Sequence, residues 1–223
     1  MNVYPTFQID PKLLEIAGQA EELAQAQFQE IEATQRYNQQ KMLAAFIQAG
    51  VSESHFVGST GYGYGDRGRD VLDQVYAYAF GAEDALVRHN FVSGTHTLTV
   101  ALFGMLRPGD KMLCVTGTPY DTIQGVIGMA GREEPGSLKD FGIEYEELDL
   151  RPAGTPDLEA MEQRITPEYK MIYIQRSRGY SLRPSLRVKD IAPIVEIAKR
   201  KAPQAIVMVD NCYGEFVERE EPL

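Results

Sequence analysis

The sequence predicts an α/β domain with a mostly parallel sheet and flanking helices, preceded by an N-terminal helical arm. Short apolar runs alternate with helix-like stretches over the second half of the chain. This strand–helix–strand order implies parallel strands joined by right-handed crossovers. A chain of 223 residues that is 43% hydrophobic is also long enough to bury a full-sized core.

The arm is predicted to cover residues 1–57. Asp10 and Pro11 supply an N-cap and a first-turn proline. Apolar residues between Leu13 and Ala24 then recur every three or four positions, which indicates an amphipathic helix. A second helical stretch is expected from Thr34 to Ala49. Because so much helix precedes any strand, we expect this section to cover the domain or to serve a subunit interface.

Residues 58–223 form the predicted large domain. Four glycines between Gly61 and Gly68 favour a loop, and a helix should follow from Arg69 to Phe80. The apolar runs that we expect to be strands are Ala85–Val87, Met112–Val115, Ile143–Leu148, Met171–Gln175 and Ala205–Val209. The helices expected between them are Thr97–Leu106, Pro156–Ile165 and Val188–Arg200. The chain stops about a dozen residues after the last predicted strand, so we expect the sheet to be incomplete at its C-terminus.

Composition excludes several classes of partner. The net charge of -10 repels nucleic-acid phosphates and anionic lipid headgroups. Residues 1–9 lack the pattern of a signal peptide, and no apolar run approaches the ~20 residues that span a bilayer. The two cysteines show no paired spacing, and the three histidines match no short metal-ligand motif. We therefore expect a soluble cytoplasmic protein without a metal.

Two loops near predicted strand ends carry groups that suit a ligand, because ligands of open α/β sheets collect at the carboxyl ends of the strands. Ser93, Gly94 and Thr95 precede a predicted helix and offer hydroxyls and free N–H groups, which is a ready anion site. An ordinary N-cap remains the alternative. Tyr120 follows Pro119 after the run that ends at Val115, and its ring either stacks on a flat ligand or lies on the surface.

Asp210 directly ends the apolar run Ala205–Val209. A carboxylate at that depth needs a cationic or N–H partner, because an unpaired buried charge is expensive. The protonated ring nitrogen of a cofactor is one such partner. The alternative is that Asp210 caps a following helix.

Five segments together resemble one enzyme family. They are Gly58–Asp70 (GSTGYGYGDRGRD), Phe80–Arg88, Val92–His96, Pro119–Thr122 and Val209–Glu215. They look like the methionine gamma-lyase-like "aluminum resistance protein" family, and the similarity runs over nearly the whole chain. That family is similar in fold to the cystathionine gamma-synthase group of fold-type I enzymes, which use pyridoxal 5'-phosphate (PLP) on sulfur-containing amino acids.

The resemblance implies a role for residues 93–95, for Tyr120 and for Asp210. Ser93, Gly94 and Thr95 would hold the cofactor phosphate, and Tyr120 would stack on the cofactor ring. Asp210 would pair with the ring nitrogen and keep it protonated. We therefore expect PLP as the cofactor and an amino acid as the substrate.

Residues of the glycine loop are implied to act in a neighbouring subunit. Related enzymes bring a tyrosine and an arginine across to the cofactor phosphate, and Tyr64 and Arg67 are the best matches here. A homo-oligomer, dimer or tetramer, is therefore expected. Residues 176–178 (Arg-Ser-Arg) also end a predicted strand near the site, without an assigned role.

The function that the resemblance implies for the full-length enzyme is elimination across a carbon–sulfur bond. The catalysis needs a lysine that forms a Schiff base with the cofactor, and in this fold that lysine lies beyond the aspartate. Lys201 is the last lysine and precedes Asp210, so we expect the chain to be truncated and to have little or no lyase activity alone.

Two other functions compete with this prediction. A pseudoenzyme or an interaction subunit that pairs with a complete homologue is the main alternative. A nucleotide site at glycines 61, 63, 65 and 68 is disfavoured, because such a fingerprint follows a strand and this segment follows helix and polar residues.

Overall fold

A computed structural model of the chain describes residues 9–129 and 135–223. Within these residues the helices are α1 (Pro11–Gln48), α2 (Arg67–Phe80), α3 (Gly94–Met105), α4 (Asp121–Ile127), α5 (Leu158–Arg164) and α6 (Val188–Lys201). The strands are β1 (Lys111–Cys114), β2 (Glu144–Glu147), β3 (Tyr169–Gln175) and β4 (Ile206–Asp210), and a short 3-10 helix spans Glu53–Phe56.

The four strands form one parallel sheet in the order β2-β1-β3-β4. Since neighbouring side chains of a strand point to opposite faces, β1 and β3 divide their residues between two cores. Leu113 and Ile172 pack with α5 and α6 on one face, and Met112 and Met171 pack with α3 and α4 on the other. The predicted α/β fold with a parallel sheet and flanking helices is therefore confirmed.

The predicted strand Ala85–Val87 is wrong, because these residues belong to no strand or helix. The segment is held by side-chain contacts with α2 instead of by a strand ladder. The Val87 backbone N–H donates to Asp73 Oδ1 at 2.7 Å, and the Arg88 guanidinium pairs with the same carboxylate at 2.7 Å. A run of three apolar residues is too short to distinguish a strand from such an anchored loop.

The arm forms a single helix where two helical stretches were predicted. No glycine or proline interrupts residues 25–33, so the helical segments on either side join. Most of α1 is exposed, and within it only Asn38 and Ala45 are buried. Ala45 packs against Val75 and Ala79 of α2. Residues 1–8 of the arm lie outside the described residues, and the division at residue 57 stays a prediction.

A helix missed by the sequence analysis is α4, where Pro119 and Tyr120 had indicated only a turn. Tyr120 is its N-cap, and Gly128 ends it in the left-handed conformation with φ 91°. The described helices include none that is both long and apolar enough to cross a lipid bilayer. The cytoplasmic location stays a prediction.

Candidate functional site

A cavity of about 800 Å³ lies at the carboxyl edge of the sheet. Gly94 and Thr95 line it at the start of α3, Tyr120 lines it after β1, and Asp210 lines it at the end of β4. The structure thus brings together the three loops that were predicted to share a ligand. The convergence follows from the parallel topology, which places all carboxyl ends of the strands at one edge.

Ser93 directly precedes the α3 end of the cavity and does not itself line it. Its backbone is extended, and its Oγ accepts a hydrogen bond from the His96 N–H at 3.1 Å, so Ser93 is the N-cap of α3. Gly94 has no atom within 4 Å of the space that a Cβ would occupy, which leaves its backbone accessible. The first N–H groups of a helix lack partners within the helix and attract anions. The predicted N-cap is therefore observed, and the anion site at the same terminus stays a prediction.

Tyr120 is positioned by a polar side chain from the neighbouring strand. Gln175, buried at the end of β3, accepts a hydrogen bond from the Tyr120 backbone N–H at 2.6 Å. The Gln175 amide nitrogen donates in turn to the Ser177 carbonyl at 3.1 Å. The Tyr120 ring lies 5.9 Å from the Tyr180 ring, and the interaction with Tyr180 raises the pKa of the Tyr120 phenol to about 12. Tyr120 is therefore a neutral phenol at neutral pH.

Asp210 is a buried carboxylate, with 7% of its surface exposed. Its Oδ1 accepts a hydrogen bond from the Cys212 N–H at 3.1 Å, and its Oδ2 accepts one from the Tyr173 hydroxyl at 3.3 Å. Burial and the nearby Asp210 carboxylate raise the pKa of Tyr173, so the phenol keeps its proton and stays a donor.

The Asp210 carboxylate forms no ion pair with any residue in 9–129 or 135–223. Among the described residues, no Lys, Arg or His nitrogen lies within 4.0 Å of its oxygens. A buried anion in this setting is suited to a ligand that brings a positive charge or an N–H donor. The alternative assignment to a helix cap finds no support, because the residues after Asp210 form turns.

Tyr64 and Arg67 do not join the other predicted site residues. Neither lines the cavity, and both are exposed, Tyr64 to 90%. The buried residue of the glycine loop is Asp66, which accepts hydrogen bonds from Ser59 and Arg69. The hydrogen bond with Arg69 holds the pKa of the Asp66 carboxyl below its usual value.

Several cavity residues were not predicted from the sequence, or were placed near the site without a role. Thr122, Tyr180 and Cys212 line the cavity, and Thr122 accepts a hydrogen bond from the Thr95 hydroxyl at 2.8 Å. Thr122 belongs to α4, which the sequence did not reveal. Ser177 and Arg178 also line the cavity.

Arg176 and His96 are absent from this cavity wall. Arg176 is buried beneath the residues that follow β4. The His96 ring packs against Phe91 with its centroid 6.1 Å away.

Among the described residues of this site, lysines and metal-ligand clusters are also absent. No lysine lines the cavity among the described residues. Within residues 9–129 and 135–223, no group of three or more His, Cys, Asp or Glu side chains is placed to hold a metal ion. The absence of a metal stays a prediction.

The sheet order and the position of the cavity define a fold-type I α/β domain, the fold of PLP-dependent enzymes. The PLP-dependent protein YhfS from Escherichia coli shares this fold, with a TM-score of 0.56 over 81% of this chain and 45% of that chain. It is only 17% identical, so the likeness concerns the fold alone. The model of the methionine gamma-lyase family matches residues 13–223, and the chain belongs to this family.

Relatives support the family assignment made from the sequence motifs. A carbon–sulfur lyase involved in aluminum resistance from Clostridium novyi NT is 45% identical, with a TM-score of 0.92 over 98% of this chain and 52% of that chain. The Bacillus subtilis (strain 168) protein YnbB is 48% identical over 193 residues, which are 86% of this chain and 46% of YnbB. The chain therefore spans about half the length of these relatives, and the predicted resemblance is confirmed.

Proposed function

We propose that the cavity binds PLP and that the protein cleaves a carbon–sulfur bond of a sulfur amino acid by elimination, as methionine gamma-lyase does. The observation that carries this proposal is that a helix N-terminus, an aromatic ring and a buried carboxylate line one cavity. Membership of a family of methionine gamma-lyase-like and cystathionine lyase-like enzymes supports it.

The start of α3 suits the cofactor phosphate. Gly94 and Thr95 line the cavity, and Gly94 leaves room for a close approach. The positive end of the helix dipole adds to the attraction for an anion. In this proposal Ser93 both caps the helix and fixes the conformation from which Gly94 and Thr95 bind the phosphate.

Tyr120 and Asp210 suit the cofactor ring. Tyr120 would stack on its face, and Asp210 would hold a proton on its nitrogen. Tyr173 and the Cys212 N–H fix the direction of the Asp210 carboxylate. The bound cofactor supplies an electron sink for the bonds at the substrate α-carbon, and a protonated ring nitrogen strengthens it.

Proton transfer at the substrate needs a base that this cavity lacks. Lysine performs that role in PLP lyases, and no lysine lines the cavity in the described part of the chain. We therefore propose that residues 1–223 by themselves bind the cofactor without a covalent bond and turn over little or no substrate.

Tyr64 and Arg67 belong to a second part of the proposal. Both are exposed on the glycine loop and away from the cavity of their own chain. We propose that they bind the cofactor phosphate in a neighbouring subunit of a homo-oligomer. The same exposure supports the alternative function, an interaction subunit that pairs with a lysine-bearing homologue. Mixing the two proteins and measuring the mass of the complex distinguishes homo-oligomers from mixed ones.

The first prediction concerns cofactor binding. Calorimetric titration of the purified chain with PLP should show one binding site per chain. Asp210→Asn should weaken binding at least tenfold, because the bond between the carboxylate and the ring nitrogen is charge-assisted. Asp70→Asn, which changes an exposed carboxylate on α2, is the matched control and should bind as the wild type does.

Two outcomes would contradict the proposal. One is an Asp210→Asn variant that folds and binds PLP as tightly as the wild type. The other is release of 2-oxo acid and thiol by the 223-residue chain at the rate of an ordinary lyase, which would refute the proposed inactivity.

A further inference from the structure

We propose that Asn38 of α1 and Arg176 at the end of β3 are positioning residues for the Asp210 loop, which we define as residues 211–221. Through them the N-terminal helix would support the cofactor cavity. The inference rests on the proposed function, because it concerns how the cavity holds its ligand.

Arg176 joins the two ends of the Asp210 loop. Its side chain is 97% buried, and its Nη1 donates to Asn211 Oδ1 at 2.6 Å and to the Gly214 carbonyl at 2.8 Å. Its Nη2 pairs with Glu218 at 2.6 Å. The Arg176 backbone N–H also donates to the Asp210 carbonyl at 3.0 Å. A single guanidinium fork therefore fixes the loop relative to the sheet edge.

The contact between Arg176 and the loop is close enough to restrict the sequence at position 214. A Cβ at Gly214 would lie 2.5 Å from Arg176 Nη1 and 2.5 Å from Asn211 Oδ1. Real side chains do not approach this closely, so any larger residue would displace the guanidinium.

Asn38 of α1 also binds this loop. Its amide nitrogen donates to the carbonyls of Phe216 at 2.8 Å and Glu218 at 2.9 Å, across about 180 residues of sequence. Its Oδ1 is buried without a hydrogen-bond partner among the described residues. A buried unpaired acceptor is unfavourable. Asn38 therefore contributes at this position through its two donors.

The conformation of the Asp210 loop explains the need for this support. Tyr213 and Phe216 have φ values of 65° and 60°, a region that non-glycine residues rarely adopt. Such backbone persists where the surroundings fix it, and it clusters at functional sites. Arg176 binds the carbonyl of Gly214, which follows Tyr213, and Asn38 binds the carbonyl of Phe216 itself.

The loop also forms part of the cavity wall. Asn211, Cys212, Tyr213 and Glu215 line the cavity together with Asp210. The Cys212 N–H is one of the two donors to the Asp210 carboxylate. A shift of the loop would therefore redirect the carboxylate that the proposed function assigns to the cofactor ring.

Asn38→Leu tests the inference with little change of volume. We expect faster hydrogen exchange over residues 211–221 in the unliganded chain and about tenfold weaker PLP binding. We also expect the pH dependence of the bound cofactor's visible absorbance to shift towards that of Asp210→Asn. Gln40→Leu is the matched control, because Gln40 is exposed on the same helix.

A merely structural role for Asn38 gives a different pattern. Asn38→Leu would then lower the unfolding temperature but keep the wild-type absorbance profile, and this result would overturn the inference. Should Asn38→Leu fail to fold, Arg176→Lys tests the inference instead. This variant keeps the positive charge and loses the planar guanidinium. Arg176→Lys with wild-type exchange and a wild-type profile would also overturn the inference.

The experiment separates this inference from the proposed function. If the wild-type chain binds no PLP, the proposed function fails. Hydrogen exchange of the unliganded Asp210 loop still shows whether Asn38 and Arg176 hold it.

Discussion

The N-terminal helix and the central sheet use the same apolar residue types in opposite environments. In α1, Leu23 is 84% exposed and Ile47 is 80% exposed, whereas Leu113 of β1 and Ile172 of β3 have 0% exposure. The helix is 38 residues long, or about 57 Å. Its periodicity indicated a helix correctly. The comparison shows that a periodic apolar face predicts the helix itself. Whether that face is buried depends on the elements that pack against it.

The largest expected effect on stability comes from truncating a buried leucine, and a matched exposed leucine serves as its control. Leu113→Ala should lower the free energy of unfolding by about 3 kcal/mol, because it leaves a cavity in the core. Leu23→Ala should change it by less than about 0.5 kcal/mol, because the side chain is already in water. Urea unfolding of both variants measures the difference. Similar losses of unfolding free energy in the two variants would show that Leu23 of α1 is buried in solution.

A smaller effect on the free energy of unfolding comes from Cys114, a buried thiol at the end of β1. Burial raises the pKa of the Cys114 thiol from its ordinary 9.0 to about 11. The unfolded chain therefore loses this proton first, and the contribution of Cys114 to stability, complete below pH 9, is lost as the pH rises to 11. The loss should be about 2 kcal/mol.

The matched variant for this prediction is Cys114→Ser. A serine hydroxyl can donate to the Gly117 carbonyl, as the thiol does at 3.0 Å, and it does not titrate in this range. The unfolding free energy of the variant should therefore depend less on pH between 9 and 11. Equal pH dependence in both proteins would contradict the buried, neutral thiol.

The smallest effect belongs to the exposed end of the arm. Asp10 Oδ1 accepts a hydrogen bond from the Lys12 N–H at 2.9 Å and caps α1. Asp10→Ala should cost up to about 1 kcal/mol locally, and it should be seen as faster hydrogen exchange in the first turns of α1. The global unfolding free energy should remain unchanged, since these turns are exposed. A global loss as large as that of Leu113→Ala would remove the contrast between the two regions.

Elements with a clear period and clear ends were predictable from the sequence. The helix predicted at Val188–Arg200 is observed at Val188–Lys201, and the strand predicted at Met171–Gln175 is observed at Tyr169–Gln175. The predictions failed where short segments depend on distant partners. Residues 85–87 are anchored by Asp73 in α2 instead of by a strand. The start of α4 is fixed by Gln175 from a neighbouring strand.

The sequence by itself determined the parallel α/β order, and it predicted that the Ser93–Thr95, Tyr120 and Asp210 loops would lie at one sheet edge. For Tyr120 and Asp210 it could do so because each follows a periodic apolar run, and ligands collect at the carboxyl ends of parallel strands. The strand expected before Ser93 is absent from the described residues. Only the tertiary structure decided that Tyr64 and Arg67 do not line this cavity and that Asn38 and Arg176 bind the Asp210 loop. These facts depend on hydrogen bonds and packing between residues far apart in the chain, which no local pattern of side chains encodes.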